Sequence, residues 1–176
     1  MNPRCDPHAP VFLVGFMGAG KSTVGRALAA RLGWDFNDTD ALVERAQGCS
    51  IEEIFRSSGE GRFREAEWAV LCSLKGRTRL VVATGGGLFL GVAQRAFLRG
   101  NGVSLWLDAP LELVAARVNA GPTRPLWPTD DALSRRAFFE RRRAAYALAD
   151  IRIDASRGQA EELASTIEAA KRSFWR

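Results

Sequence analysis

Eight residues, Gly15-Phe16-Met17-Gly18-Ala19-Gly20-Lys21-Ser22, lie between an apolar run, Val11-Phe12-Leu13-Val14, and a helical pattern from Thr23 to Leu32. They fit G-x-x-x-x-G-K-[ST] at every fixed position, in the strand–loop–helix setting that gives the pattern meaning. Glycines let a backbone wrap closely enough for its N–H groups to converge on phosphate oxygens. The helix N-terminus adds positive potential at the same spot. A lysine here can reach terminal phosphates, and a hydroxyl here can ligand the Mg²⁺ that bridges them. Gly18, Ala19, Gly20, Lys21, Ser22 and Thr23 are therefore expected to contact a nucleoside triphosphate.

The rest of the chain extends this unit. Short β-rich apolar runs alternate with longer helical patterns, which predicts a parallel sheet with helices on both faces. Strands are expected at 11–14, 35–37, 80–83, 103–107 and 151–153. Helices are expected to begin near Lys21, Asp40, Ser50, Gly61, Gly91, Leu111, Asp131 and Gln159. Ser50 with Glu53 forms a capping box, and Asp130 or Asp131 caps the arginine-rich helix. The predicted fold is a single-domain three-layer α/β/α sandwich around a five-stranded parallel sheet. Residues 119–129, with three prolines and Arg124, have the length and irregularity of a mobile lid.

Bulk properties exclude several classes. A chain of 176 residues can bury a core without disulfides or metals, and 47% hydrophobic with 26% charged residues is ordinary for a globular protein. No apolar run approaches the roughly 20 residues of a membrane span. Residues 1–10, with three prolines, lack the apolar stretch of a signal peptide and are expected to be a flexible tail. Cys5, Cys49 and Cys72 have no metal-ligand spacing and suggest reduced thiols in a cytoplasmic protein. The net charge of +5 suggests anionic partners. Its densest part, Arg135-Arg136 and Arg141-Arg142-Arg143, is interleaved with Phe138, Phe139 and Tyr146 at helical spacing. That pattern fits a helix with one solvated face better than a nucleic-acid surface. The expectation is a monomer acting on small molecules, with neither nucleic acid nor membrane as partner.

Three further clusters bear on where a phosphoryl group would go. Asp38-Thr39-Asp40 leaves the second strand; one carboxylate can face a metal and the other an acceptor hydroxyl. Arg64 and Glu67 stand three apart on a helix, so a carboxylate can hold an arginine fork ready for a substrate carboxylate. Gly85-Gly86-Gly87 follows the third strand, where consecutive glycines permit close approach of a ligand to the backbone.

Together these motifs resemble the shikimate kinase family. The matching residues are G-x-M-G-x-G-K-S-T-x-G-R at Gly15 to Arg26, D-T-D at 38–40, G-E-x-x-F-R-x-x-E at 59–67 and A-T-G-G-G at 83–87. Arg124-Pro125-Leu126, R-x-x-x-Y at 142–146 and Asp154-Ala155 follow in the same order. The resemblance implies a P-loop kinase fold and transfer of the γ-phosphoryl group of ATP to the 3-hydroxyl of shikimate, on the route to chorismate. It implies that Lys21 and Ser22 hold phosphates and Mg²⁺, with Asp38 beside the metal. Asp40 would bind shikimate hydroxyls and either orient or deprotonate the nucleophile. Arg64 and Arg142 would clamp the shikimate carboxylate, with Glu67 positioning Arg64 and Gly85, Gly86 and Gly87 lining the substrate. Arg124 would reach the nucleotide phosphates, and Arg157 falls where relatives line the adenine. Arg143 is the alternative to Arg142, because the arginine run leaves the register open. A gluconate kinase-like enzyme would share the phosphate loop but not both F-R-x-x-E and the triple glycine. A non-catalytic ATP or shikimate sensor would not need every catalytic position intact.

Overall fold

The computed structural model describes residues 6–120, 126–127, 131–156 and 158–174, with side chains described up to 170. Five strands form one wholly parallel sheet: β1 (Val11–Val14), β2 (Asp35–Asp38), β3 (Leu80–Ala83), β4 (Val103–Asp108) and β5 (Ile151–Asp154), in the order β2-β3-β1-β4-β5. The central strands β1, β3 and β4 are buried along their whole length, which is why they read as unbroken apolar runs. Edge strand β2, DFND, has no such run, and its signal is correspondingly weaker.

Among the described residues seven α-helices connect and cover the sheet: α1 (Lys21–Leu32), α2 (Thr39–Gln47), α3 (Ile51–Ser73), α4 (Val92–Asn101), α5 (Leu111–Asn119), α6 (Ala132–Tyr146) and α7 (Ala160–Phe174). Helices α1 and α7 pack on each other. The chain runs one way from β1 to β2 and the other way from β3 to β4. Right-handed crossovers then place α1 and α4 on opposite faces and leave a cleft at the carboxyl ends of the strands. The two helices expected from Ser50 and Gly61 form one run, α3, broken at Gly59 (φ 75°, ψ 179°). The Ser50–Glu53 capping box is present, and Asp131 rather than Asp130 caps α6 by accepting from Ser134 N–H at 2.7 Å. The main core runs through β1, β3 and β4. A smaller one, Val43, Ile54, Phe63, Ala66 and Val70, joins α2 to α3.

Part of the tail expected over residues 1–10 is docked on the sheet. Ala9 and Pro10 are buried, the His8 carbonyl accepts from Arg79 N–H at 2.8 Å, and the Pro10 carbonyl accepts from Val103 N–H at 3.0 Å. Backbone pairing at the start of β1 and β4 thus recruits residues whose prolines suggested a frayed end. Cys49 and Cys72 are free thiols, and Cys5 lies outside the described residues. Among the described residues no helix is long and apolar enough to cross a membrane.

Candidate active site

The carboxyl ends of β1, β2 and β3 open into a cleft of about 930 Å³. On one side stands the loop of residues 15–22, built mostly of backbone. Lys21, the first residue of α1, folds over this loop and donates from Nζ to the carbonyls of Gly15 (2.8 Å) and Phe16 (2.7 Å). Its side chain is buried, so it also secures the loop on which it sits. Ser22 Oγ donates to Asp38 Oδ2 at 2.5 Å. The other oxygen of Asp38 accepts from Asp40 N–H at 3.0 Å and caps α2. Asp38 is thus committed to the serine and the helix end, which leaves the Asp40 carboxylate on the cleft wall.

The opposite side is built of side chains from three separate elements. Arg64, on α3, donates from Nη1 to Glu67 Oε2 at 2.9 Å and from Nη2 to Glu60 at 2.9 Å. Glu67 is 2% exposed, and its Oε1 has no hydrogen-bond partner among the described residues. Burial, with Asp40 and Glu60 adding repulsion, pushes the Glu67 carboxyl above the usual glutamate range despite Arg64. Burial works against the Arg64 charge as well, but Glu67 and Glu60 outweigh it and hold the guanidinium above its ordinary value.

The triple glycine shows why side chains are excluded there. A Cβ on Gly85 would lie 2.6 Å from Asp40 Oδ1 and 2.7 Å from Glu67 Oε1. One on Gly87 would lie 2.5 Å from Arg64 Nη2. The space that glycine leaves is therefore filled by the cleft's own charged groups. Gly85 N–H donates to Thr39 Oγ1 at 2.8 Å, so the middle residue of D-T-D ties the second strand's turn to the third's.

Arg142 and Arg143 on α6 diverge. Arg142 lines the cleft with its guanidinium 3.4 Å from the Phe138 ring centroid. Burial chiefly, with Arg64 nearby adding to it, lowers its pKa. Arg143 instead pairs with the buried Asp108 at 2.9 Å, and Arg152 shares the same carboxylate at 2.6 Å. The geometry thus places Arg142, rather than the alternative Arg143, beside Arg64. Gly18, Ala19, Gly20, Thr23 and Gly86 also line the cleft. Arg124 and Arg157 lie outside the described residues. Of the expected lid, Leu126 lines the cleft and Trp127 is buried edge-on against Phe16 of the phosphate loop and Phe138 of α6.

Three contacts were not evident from the sequence. Thr39 was hidden between two carboxylates that drew attention, although a fully buried hydroxyl at a strand end needs a partner. Arg117 on α5 donates to the Gly18 carbonyl at 3.1 Å and lines the cleft, with no local motif to mark it. Tyr146 is buried, and its hydroxyl donates to the Gly86 carbonyl.

A family model described as shikimate kinase matches residues 17–171. The chain belongs to the shikimate kinase family. It is 49% identical over 147 residues to a shikimate kinase of Synechococcus sp. (strain JA-3-3Ab), covering 81% of this chain and 76% of the relative. It is 45% identical over 160 residues to that of Geobacter sulfurreducens, covering 89% and 87%. Among solved structures it is similar to the Acinetobacter baumannii shikimate kinase in complex with shikimate, at TM-score 0.89 and 38% identity over 94% of each chain. A gluconokinase from Sinorhizobium meliloti, at 16% identity and TM-score 0.56 over 95% of each chain, shares the fold alone.

Proposed function

We propose that this shikimate kinase family member transfers the γ-phosphoryl group of ATP to the 3-hydroxyl of shikimate, giving shikimate 3-phosphate and ADP. The observation that carries the reading is the pair Arg64 and Arg142 on a cleft that also opens onto the Lys21 loop. Among the described residues no carboxylate pairs with Arg142, so a half-buried cation stands ready for an anionic substrate. An acceptor with one carboxylate and several hydroxyls satisfies it, with the carboxylate between the two guanidinium groups and the hydroxyls toward Asp40.

The reaction forms a bond from the acceptor oxygen to the γ-phosphorus and breaks the bond from that phosphorus to the β–γ bridging oxygen. Catalysis is mostly placement and charge neutralisation, because the transition state is loose. Backbone N–H groups of residues 18–23 hold the phosphates, and Lys21 exchanges the loop carbonyls for phosphate oxygens. Asp40 accepts a hydrogen bond from the reacting hydroxyl and aims it. Arg124 adds positive charge at the phosphates and Arg157 borders the base, as the family pattern implies. Ser22 and Asp38 offer hard oxygen donors side by side, which fits Mg²⁺ held jointly with phosphates and water. Bound there, Mg²⁺ would neutralise charge on the β- and γ-phosphates. The enzyme works in the cytoplasm on small molecules.

The test is ADP release with ATP and Mg²⁺, comparing shikimate, quinate, gluconate and no acceptor. Release that depends on shikimate, at roughly 1–100 per second, is the expected result. A preference for gluconate, or release independent of acceptor, would overturn the substrate assignment.

A further inference from the structure

Tyr146 ends α6 one turn after Arg142, on the same helix face, and is 2% exposed. Its hydroxyl donates to the carbonyl of Gly86, the middle residue of the triple glycine. The flanking carbonyls are already engaged: Gly85 accepts from Leu88 N–H at 3.1 Å and Gly87 from Leu90 N–H at 3.1 Å. The Gly86–Gly87 peptide joins two glycines, whose backbones rotate at low cost. Such a peptide needs an outside contact to fix which way it faces.

We infer that Tyr146 is a positioning residue for the acceptor site: by holding the Gly86 carbonyl on the core side, its hydroxyl turns the Gly87 N–H into the cleft. In a trans peptide the N–H and C=O point in opposite directions, so a carbonyl held by buried Tyr146 aims the next N–H away from the core. Gly86 and Gly87 both line the cleft, and the Arg64 guanidinium lies directly over Gly87. The N–H therefore adds a donor beside the arginine that receives the acceptor carboxylate. Reversed, the same peptide would present a carbonyl oxygen to an anion, which repels it. Burial keeps the phenol far above its ordinary range, so the hydroxyl remains a donor at every working pH.

This inference rests on the reading of shikimate as acceptor. Tyr146→Phe removes one oxygen and keeps the ring that packs near Trp106. The variant is expected to bind shikimate about threefold to tenfold more weakly, by calorimetry and by KM, the equivalent of one hydrogen bond. The KM for ATP and kcat should stay within about twofold, a split that a general loss of folded enzyme would not produce. In ¹⁵N spectra at saturating shikimate, the Gly87 amide should shift strongly in the wild type and much less in the variant. Unchanged shikimate affinity in Tyr146→Phe, or equal losses for shikimate and ATP, would overturn the inference. A wild type that releases no ADP with shikimate would instead bring down the functional reading beneath it.

Discussion

The two walls of the cleft are made in different ways. The proposed phosphate wall is eight consecutive residues whose backbone curls at the cleft, fastened by the Lys21 ammonium to its own carbonyls. The acceptor wall gathers Asp40 from α2, Arg64 and Glu67 from α3, the glycines after β3 and Arg142 from α6. A backbone cradle suits a ligand common to many enzymes, because it depends little on side-chain identity. An assembly of charged side chains suits one particular acceptor, because each group must find its place through tertiary packing. Generic chemistry is encoded locally here, and specificity is encoded at a distance.

Substitutions can separate the two walls. Lys21→Ala should give the largest effect, a fall in turnover of about 10³-fold or more, with the fold intact by circular dichroism. Retention of a tenth of wild-type turnover would remove Lys21 from the chemistry. Gly85→Ala should come next. Its methyl would collide with Asp40 and Glu67, displacing the group that aims the hydroxyl and lowering kcat/KM for shikimate by about 10²-fold. ATP affinity should survive, and parallel loss of both substrates would mean that the walls are not independent.

Arg64→Ala should weaken shikimate binding by roughly 2 kcal/mol or more, part of it the cost of stranding the buried Glu67. ATP binding is the control, and an equal loss there would make Arg64 a structural residue. The smallest effect concerns stability. Burial raises the Glu67 pKa, so its favourable contribution is complete below the ordinary glutamate value and is lost as pH rises through the raised one. Glu67→Gln escapes that loss. Its melting temperature relative to wild type should therefore climb as pH rises above the ordinary glutamate range, by a few degrees at most. A difference that stays flat across this range would show that Arg64 fully offsets the burial cost.

How much of this could be read in the chain follows the same division. The phosphate loop, the buried strands and the Ser50–Glu53 cap are local patterns, and each stands where its pattern indicated. Motif order singles out the residues proposed for the acceptor wall, but not their contacts. Nothing near Gly85 in sequence says that two carboxylates 45 and 18 residues away occupy the space above it. The four-residue spacing to Tyr146 favours Arg142 over Arg143, but adjacent residues on a helix differ by about 100° in direction, and what each direction meets is a tertiary fact. Asp108, at the end of β4, receives Arg143 and so turns Arg142 toward the cleft. The docking of Ala9 and Pro10 is not marked in the chain because prolines signal irregular structure, whereas carbonyls just ahead of a strand can still pair.

The clamp on Asp108 has a mechanical consequence. With Arg143 fastened to the sheet and Tyr146 to the glycine turn, the angular setting of α6 is fixed from its carboxyl half. Arg142, next to the first of these fastenings, is held toward the cleft by contacts of its own helix. The angle at which the proposed acceptor pocket receives its acid is in this sense set by the sheet and the glycine turn together.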